Sequence, residues 1–179
     1  MHFTRRTRVS PGSAAKRILP DVLRRDLDIV FCGTAAGSAS ARKGAYYAGP
    51  GNAFWPTLYE VRLIPRPMLP EEYLKLADWN MGFTDLAKTV FGSDSSLSQS
   101  HFGVVRLRGV ILQHRPRILA FTGKRAAQEF IGRKVDYGLL PDTVGITRLF
   151  VLPSPSGAAR RFWAVEHWHE LSRLRRTSG

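Results

Sequence analysis

Three loops in this sequence combine glycine, small residues and polar or aromatic side chains in patterns suited to ligand binding. The first loop, at residues 33–37, reads Gly-Thr-Ala-Ala-Gly and directly follows a short apolar run. Its two glycines and small side chains allow a ligand to approach the backbone N–H groups closely. Taken alone, these residues favour a plain strand-to-loop turn over a ligand-binding loop. The loop lacks the Gly-Lys-Ser/Thr ending of a phosphate-binding P-loop.

The second loop, at residues 45–55, is aromatic and rigid. Adjacent Tyr46 and Tyr47 are followed by Gly-Pro-Gly and then by Phe54 and Trp55. An exposed aromatic ring in such a loop stacks on a flat base for roughly 1–3 kcal/mol. The alternative is that Tyr46 or Tyr47 covers the hydrophobic core, where we expect Phe54 and Trp55 to lie.

The third loop, at residues 154–161, is a small, rigid turn that ends in two arginines. It reads Ser-Pro-Ser-Gly-Ala-Ala-Arg-Arg. Arginines at the end of such a turn suit contacts with a phosphate backbone. The alternative is a helix start in which Ser156 is the N-cap and both arginines are solvated. The residues of this loop favour neither interpretation.

The charge of the chain favours a polyanionic partner. Lys and Arg number 27 against 14 Asp and Glu among 179 residues, which gives a formal net charge of +13. A small domain this basic most often binds nucleic acid. The alternatives are solvated basic faces that improve solubility, and an anionic membrane surface.

The single cysteine, Cys32, excludes several classes of site. An intramolecular disulfide, a cysteine-ligated iron–sulfur cluster and a multi-cysteine zinc site all need more than one cysteine. No uninterrupted apolar run approaches the roughly 20 residues of a membrane-spanning helix. We therefore expect a cytoplasmic protein without a membrane partner.

Short apolar runs and helical patterns alternate along the chain, which predicts an α/β fold with a largely parallel sheet and helices on both faces. The carboxyl ends of parallel strands share one edge, where ligands bind, and all three loops leave predicted strand ends. Residues 1–20 are predicted to form a flexible basic arm, and residues 21–179 a single domain. Predicted strands lie at 28–32, 83–86, 117–122 and 147–152, and predicted helices at 54–63, 71–76, 104–112, 125–131 and 162–174.

Five motifs, taken in order, resemble those of one known family. They are Gly33-Thr-Ala-Ala-Gly37, Tyr47-Ala-Gly-Pro-Gly-Asn-Ala-Phe-Trp55, Gly82-Phe-Thr-Asp-Leu86, Thr122-Gly-Lys124 and Leu152-Pro-Ser-Pro-Ser-Gly-Ala-Ala-Arg160. The chain is similar, over residues 27–175, to the mismatch-specific uracil-DNA glycosylase and thymine-DNA glycosylase family of the uracil-DNA glycosylase superfamily. Each motif is modest alone, but five at compatible spacing form a strong joint signal.

The resemblance implies a fold and an activity. The implied fold is a three-layer α/β/α sandwich of the uracil-DNA glycosylase type. The implied enzyme is monofunctional: it flips uracil or a related deaminated base out of DNA and hydrolyses the N-glycosidic bond, leaving an abasic site. No metal or organic cofactor is expected, because water is the nucleophile. We expect a monomer located at the bacterial nucleoid.

The resemblance also implies roles for individual residues. Tyr47 would stack on the flipped base, and backbone amides around Thr34, Ala35 and Tyr47 would bind the uracil oxygens. The segment Ala158, Ala159 and Arg160 would enter the duplex as a wedge. The predicted base-binding residues are Gly33, Thr34, Ala35, Tyr47 and Ser154, and the predicted DNA-binding residues are Lys124, Ser156, Gly157, Ala158, Ala159, Arg160 and Arg161.

The sequence departs from the family at the residue that usually positions the attacking water. Ala35 stands where the family usually carries Asn, and Ser154 replaces the Asn of the last motif. Asp85 is our candidate catalytic residue, because a carboxylate can orient water and stabilise a cation-like sugar. The alternative is that Asp85 caps a helix that begins near Leu86. Weaker candidates are Asn80, His101, Ser38 and Ser40.

Two other functions remain open at this stage. The loss of the usual Asn is compatible with a non-catalytic DNA-binding relative that retains the fold. Small residues at Ala35 and Ala36 are compatible with a glycosylase that accepts a larger base, such as hypoxanthine, xanthine or an etheno adduct. The position of Asp85 distinguishes these readings, because a carboxylate facing the base pocket favours an enzyme.

Overall fold

Five strands form one sheet in the computed structural model, which describes residues 16–177. They are β1 Ile29–Gly33, β2 Met81–Asp85, β3 Ile118–Phe121, β4 Gly138–Val144 and β5 Thr147–Val151. The order across the sheet is β2-β1-β3-β5-β4. The first four strands in that order are parallel, and β4 pairs antiparallel with β5. The sheet is therefore mainly parallel, as the alternating pattern predicts.

Side chains along each strand alternate between two hydrophobic cores, one on each face of the sheet. In β1, Ile29 and Phe31 join one core, whereas Val30 and Cys32 join the other. Every residue of β1 is buried, as expected for a central parallel strand that is covered on both faces. The predicted strand 28–32 is apolar without interruption from Ile29 onwards for this reason.

Helices cover both faces of the sheet. The first core includes Phe54 and Trp168, and the second includes Leu107 and Phe130. The three-layer α/β/α sandwich confirms the predicted fold class. No helix within residues 16–177 is long and apolar enough to cross a membrane. The α-helices are α1 Ser38–Lys43, α2 Phe54–Glu60, α3 Val104–His114, α4 Lys124–Ile131 and α5 Glu166–Thr177, and the two longest 3₁₀ segments are Pro70–Trp79 and Gly157–Phe162.

The sequence pattern does not predict β4. The strand contains Pro141, its burial alternates along its length, and its register with β5 shifts between Leu139 and Thr143. Proline is tolerated there because β4 is an edge strand that pairs only with β5. Propensity alone therefore indicates a loop where the tertiary structure has a strand.

Two helix predictions also need correction. The segment predicted as a helix at 71–76 is a longer 3₁₀ helix, Pro70–Trp79. The tail helix predicted from residue 162 begins at Glu166, and Phe162 belongs instead to the preceding 3₁₀ segment. Phe162 is 56% exposed rather than buried on the apolar face of the tail helix.

The predicted basic arm is described only in part, because residues 1–15 lie outside the described residues. Leu19 is buried in the first core. The Ile18 N–H donates to the Lys88 carbonyl at 2.8 Å, and Val22 forms an antiparallel bridge with Phe83 of β2. The packed domain therefore begins before the boundary predicted between residues 20 and 21.

Candidate active site

A cleft of about 660 Å³ opens at the carboxyl edge of the sheet. The chain segments that follow β1, β2, β3 and β5 all line it. The first and third predicted loops lie on this cleft, as does the Tyr47 part of the second loop. The edge therefore brings together residues that are more than 100 positions apart in sequence, such as Thr34 and Ser154.

A carboxyl group and two hydroxyl groups converge around Gly33, and we call Gly33, Asp85, Thr122 and Tyr47 the polar floor of the cleft. Gly33 pairs with Asp85 in the β1–β2 register. A Cβ atom at Gly33 would lie 2.8 Å from Asp85 Oδ1 and 3.6 Å from both Thr122 Oγ1 and the Tyr47 hydroxyl oxygen. Glycine is required there for space, because any side chain would displace the carboxylate.

Asp85 ends β2 with its side chain only 4% exposed. Among residues 16–177, its carboxylate accepts no hydrogen bond, although its residue lines the cleft. Burial raises the pKa of Asp85 to about 7, and the Asp21 carboxylate adds to the rise, while Lys88 and Arg106 oppose it. A carboxyl group that titrates near neutral pH is poised for proton or charge chemistry.

The alternative role for Asp85, helix capping, is not what the structure has. No helix begins near Leu86; the next described helical segment is the 3₁₀ turn Asp94–Ser96. The N–H groups of Leu86 and Ala87 donate instead to the carbonyls of Gly33 and Thr34. These bonds hold the segment after β2 against the first loop.

The two adjacent tyrosines both line the cleft and both pack on the first core. They differ in burial, since Tyr46 is buried and Tyr47 is partly exposed. Tyr47 has a φ of 54°, which costs an L-residue roughly 1–2 kcal/mol. Its ring stacks on Phe54 at 4.0 Å, and its hydroxyl lies 2.9 Å from Thr122 Oγ1.

The conformation of the aromatic loop is held by bonds from buried neighbours. Ser40, one of the weaker candidates, is buried, and its hydroxyl accepts a hydrogen bond from the Ala48 N–H at 3.0 Å. The Trp55 indole donates to the Tyr46 carbonyl at 3.0 Å. Ser40 is therefore a tether of this loop, and the strained Tyr47 backbone is fixed from both sides.

The first loop offers backbone donors rather than reactive side chains. Thr34 and Ala35 line the cleft and are partly exposed. The N–H groups of Thr34, Ala35 and Tyr47 donate no hydrogen bond to any other residue within 16–177. Such unpaired amides at a cleft are available for acceptor atoms of a ligand.

The third loop forms one wall of the cleft. Ser154, Ser156, Gly157, Ala158 and Ala159 all line it. Ser156 is also the N-cap of the 3₁₀ segment, since its hydroxyl accepts a hydrogen bond from the Ala158 N–H at 3.3 Å. The capping alternative for Ser156 is thus correct, and it coexists with a position on the cleft.

Both arginines of the third loop are exposed next to the cleft rather than lining it. The Arg160 guanidinium reaches the aromatic loop, since a Cβ atom on Gly51 would lie 3.2 Å from its Nη2. The Arg161 guanidinium lies 4.7 Å from the centre of the Phe162 ring. Lys124, at the start of α4, lines the cleft and is 3.6 Å from Asp136.

The sequence does not predict several residues of the cleft, among them Thr122 and Phe162. Thr122 belongs to a matched motif without a predicted role, and Phe162 is predicted to lie in the tail helix. The signal for Thr122 is its position immediately after β3, at the same edge as Gly33 and Asp85. No local signal marks Phe162, because its helical spacing with Val165 and Trp168 fits a buried face equally well.

The remaining weaker candidates lie elsewhere or carry other bonds. Asn80 precedes β2, so it lies at the opposite edge of the sheet from Asp85. The His101 Nδ1 accepts a hydrogen bond from the Ser98 backbone N–H at 3.1 Å. Ser38 lines the cleft and is exposed. Within residues 16–177, no group of three or more His, Cys, Asp and Glu side chains is arranged to hold a metal ion.

Comparisons with known proteins agree with this geometry. The family model of the uracil DNA glycosylase superfamily matches residues 20–172. The fold is similar to the solution NMR structure of a candidate uracil DNA glycosylase from Methanosarcina acetivorans, with a TM-score of 0.61 and 25% sequence identity over 91% of this chain and 97% of that chain. The chain, matched over most of its length, therefore belongs to the uracil DNA glycosylase superfamily, and this membership supports a DNA glycosylase activity in general terms.

Proposed function

We propose that this protein is a monofunctional DNA glycosylase that removes uracil, or a related deaminated base, by hydrolysis. The observation that carries the proposal is Asp85, a carboxyl group that is buried at the cleft and accepts no hydrogen bond within residues 16–177. Leaving such a group without a partner is unfavourable unless a substrate or water uses it. The superfamily membership supplies the type of reaction.

In this proposal, Asp85 performs the task that the family usually gives to an Asn in the first motif. Water adds to the anomeric carbon of the deoxyribose, and the base leaves with the electrons of the N-glycosidic bond. Ionised Asp85 orients the water, accepts its proton and faces the positive charge that develops on the sugar. The excision rate should therefore rise with pH through about 7, as Asp85 ionises.

The leaving base carries the opposite charge, and the first loop suits it. The unpaired N–H groups of Thr34, Ala35 and Tyr47 stabilise negative charge on the base oxygens as the bond breaks. These donors are fixed before reaction, because Tyr47 is held by Phe54 and Thr122. Ser154 adds a hydroxyl on the opposite wall of the cleft.

Base recognition rests on the aromatic loop and on Gly33. One face of the Tyr47 ring packs on Phe54, and the other face stacks on the flipped base. The glycine at position 33 leaves room for the base above the Asp85 carboxylate. Ala35 and Ala36 are small, so related deaminated bases fit the same pocket.

Contact with the DNA uses the exposed rim. The net charge of +13 favours the phosphate backbone, and Lys124, Arg160 and Arg161 lie at or beside the cleft. The wedge is the 3₁₀ segment Gly157–Phe162, which includes Ala158, Ala159 and Arg160. Phe162 adds an exposed apolar ring to it, and such rings insert between base steps in other DNA-binding proteins.

The test is base excision under single-turnover conditions. Single- and double-stranded oligonucleotides that contain uracil or hypoxanthine are incubated with excess protein, and abasic sites are cleaved by alkali. Asp85→Ala should lower the excision rate by about 10²–10⁴-fold, and Asp85→Asn by less, since an amide still orients water. DNA binding should stay unchanged in both variants.

The matched control is Asp78→Asn, which changes an exposed aspartate on the 3₁₀ segment Pro70–Trp79, away from the cleft. It should excise at the parent rate. Excision by Asp85→Ala at the parent rate would contradict the catalytic role. A parent protein that binds DNA but excises neither base would instead be the non-catalytic relative.

A further inference from the structure

Three charged side chains lie together behind the polar floor, and we call Asp21, Lys88 and Arg106 the buried charge cluster. The Lys88 ammonium is 3.0 Å from Asp21 Oδ1, and the two side chains are only 5% and 9% exposed. Arg106 Nη1 is 3.0 Å from the other oxygen, Asp21 Oδ2. The cluster joins the N-terminal segment, the loop after β2 and helix α3.

The cluster is bonded to the backbone around Asp85 but not to its carboxylate. Arg106 Nη2 donates to the Asp85 carbonyl at 2.6 Å and to Thr84 Oγ1 at 3.1 Å. The Thr84 hydroxyl donates to Asp21 Oδ1 at 2.7 Å. The end of β2 is thus fixed from behind, while the Asp85 carboxylate is left for the cleft.

Lys88 is the cation of the cluster whose position is most completely specified. Besides Asp21, its ammonium donates to the Tyr46 hydroxyl at 3.0 Å and lies 5.6 Å from the centre of the Tyr46 ring. The Tyr46 hydroxyl in turn donates to the Pro20 carbonyl at 3.0 Å. These partners hold the Lys88 ammonium in place next to β2.

The charges that are shielded from solvent balance in only one protonation state of Asp85. Two such cations, Lys88 and Arg106, face two carboxylates, Asp21 and Asp85. A third cation, Arg17, lies 3.2 Å from Asp21 Oδ2, but its side chain is 55% exposed, so water screens its charge. With Asp85 ionised the group is neutral, and with Asp85 protonated it carries one uncompensated positive charge in a buried place, which is unfavourable. Burial of Asp21 opposes its ionisation, but Lys88, Thr84 and Arg106 hold its pKa below the usual range.

Three other titratable groups around Asp85 contribute no charge near neutral pH. Burial raises the pKa values of Cys32 on β1 and of Tyr46 and Tyr47 on the aromatic loop, so all three stay protonated. Charged residues on the cleft walls are Asp94, Lys124 and Arg125. Of these, Lys124 pairs with Asp136, and Arg125 with Glu129.

We propose that Lys88 is a positioning residue that keeps Asp85 ionised for catalysis, and that Asp21 limits how strongly it does so. This rests on the catalytic role proposed above for Asp85. Lys88 acts across the end of β2 by its field, without touching the substrate. Asp21 has the opposite sign, so the two side chains adjust the ionisation of Asp85 in opposite directions.

The experiment measures the pH dependence of single-turnover excision and, separately, the titration of the Asp85 side-chain carbon by NMR. Lys88→Met should move both midpoints up by about one pH unit, because a neighbouring cation is lost. Asp21→Asn should move both down by about the same amount. The double variant should return towards the parent, and Lys75→Met, which removes an exposed lysine paired with Glu72, should leave both unchanged.

The outcomes separate this inference from the proposed function. If Lys88→Met and Asp21→Asn lower the rate equally at every pH without moving either midpoint, the cluster is only structural and the inference fails. If Asp85→Ala keeps the parent rate while the NMR midpoints move as expected, the electrostatic coupling stands and the catalytic role fails. Should Lys88→Met not fold, Asp21→Asn decides alone, because only the electrostatic role predicts a downward shift.

Discussion

The ends of β1 and β2 lie side by side at the cleft and have opposite character. After Gly33, the end of β1 offers small residues and unpaired N–H groups, and no ionisable side chain up to Arg42. The end of β2 offers a single buried carboxyl group, Asp85, with Lys88 and Arg106 close behind it. One strand end provides space and donors, and the other provides charge.

The difference shows that two neighbouring strand ends can each supply part of what a single site needs. Gly33 and Asp85 are opposite each other in the register, so a glycine on one strand makes room for a carboxylate on the next. The resemblance leads one to expect the polar residue on the β1 loop, where Ala35 stands. A polar side chain at the end of the adjacent strand β2 lies about one strand spacing away, so it reaches the same part of the cleft.

The largest expected effect is a gain in stability when Asp85, the charged residue at the end of β2, is replaced. Asp85 has a pKa of about 7 when folded and 3.8 ordinarily, so between these values the folded protein holds a proton that the unfolded chain has lost. The free energy of unfolding therefore falls as pH rises through this range. Asp85→Asn cannot ionise and should be more stable than the parent at about pH 8, by up to about 4 kcal/mol.

Urea denaturation of both proteins at several pH values measures this difference. The difference should shrink steadily as the pH is lowered and vanish below about pH 3, where Asp85 is protonated in both states. Other titrating groups are common to both proteins and cancel. If the two proteins differ in free energy of unfolding by the same amount at every pH, folding does not change the pKa of Asp85 at the end of β2.

The second prediction tests the space at the end of β1. Gly33→Ala places a Cβ atom 2.8 Å from Asp85 Oδ1, so the carboxylate has to move. A small misplacement of a catalytic group lowers the rate by about 10²-fold, and we expect a loss of this size in single-turnover excision. Gly109→Ala, on helix α3 outside the cleft and with nothing within 4 Å of the added Cβ atom, is the matched control and should excise at the parent rate.

Equal rates in Gly33→Ala and Gly109→Ala would break the comparison between the two strand ends, since the steric coupling would then have no functional effect. Circular dichroism and thermal melting show whether Gly33→Ala remains folded.

The third prediction separates base binding from charge. Tyr47→Ala removes an aromatic stacking surface worth roughly 1–3 kcal/mol, and should weaken excision by about ten- to a hundredfold without moving the pH midpoint. Tyr47→Phe keeps the ring and loses only the bond to Thr122, so its loss should be smaller. Tyr59→Ala, a half-exposed tyrosine outside the cleft, is the control for both.

A melting temperature that drops in Tyr47→Ala with no loss of excision would mean that Tyr47 only covers the core. A shifted pH midpoint would mean that the aromatic loop also controls the charge of Asp85.

The smallest expected effect lies on the rim, outside both strand ends. Phe162→Ala and Arg160→Ala should each lower excision from duplex DNA by about tenfold or less, and leave excision from single strands nearly unchanged. Only a duplex requires a side chain to occupy the gap left by the flipped nucleotide. The control is Leu74→Ala, which changes an exposed residue on the 3₁₀ segment Pro70–Trp79. Equal losses on duplex and single-stranded substrates would assign Phe162 and Arg160 to phosphate contacts instead.

Local pattern was sufficient to predict most of the elements and the place of the site. The apolar runs at β1 and β3, and the apolar residues that follow Arg148 in β5, predict buried parallel strands, because both faces of such strands are covered. The loops at their carboxyl ends then share one edge. The ordered motifs placed Gly33, Tyr47, Asp85 and Ser154 on one cleft, as the structure has them.

Contacts between distant segments decided what the pattern left open. Core and cleft are not exclusive alternatives for Tyr46 and Tyr47, because both rings pack on the first core and line the cleft, and only Tyr47 is partly exposed. Phe162 fits an apolar helical face by spacing, yet the helix begins four residues later. Neither outcome is encoded in residue type, because each depends on how neighbouring segments pack.

Composition and motif order alone indicated a basic α/β protein with a site at one sheet edge, since charge and periodicity are local properties of the chain. The ionisation of Asp85 was decided only by the tertiary structure. It depends on burial at 4% exposure and on Asp21, 64 positions away in sequence, together with Lys88 and Arg106. Desolvation and charge–charge energies are set by distances in space, and folding alone fixes those distances.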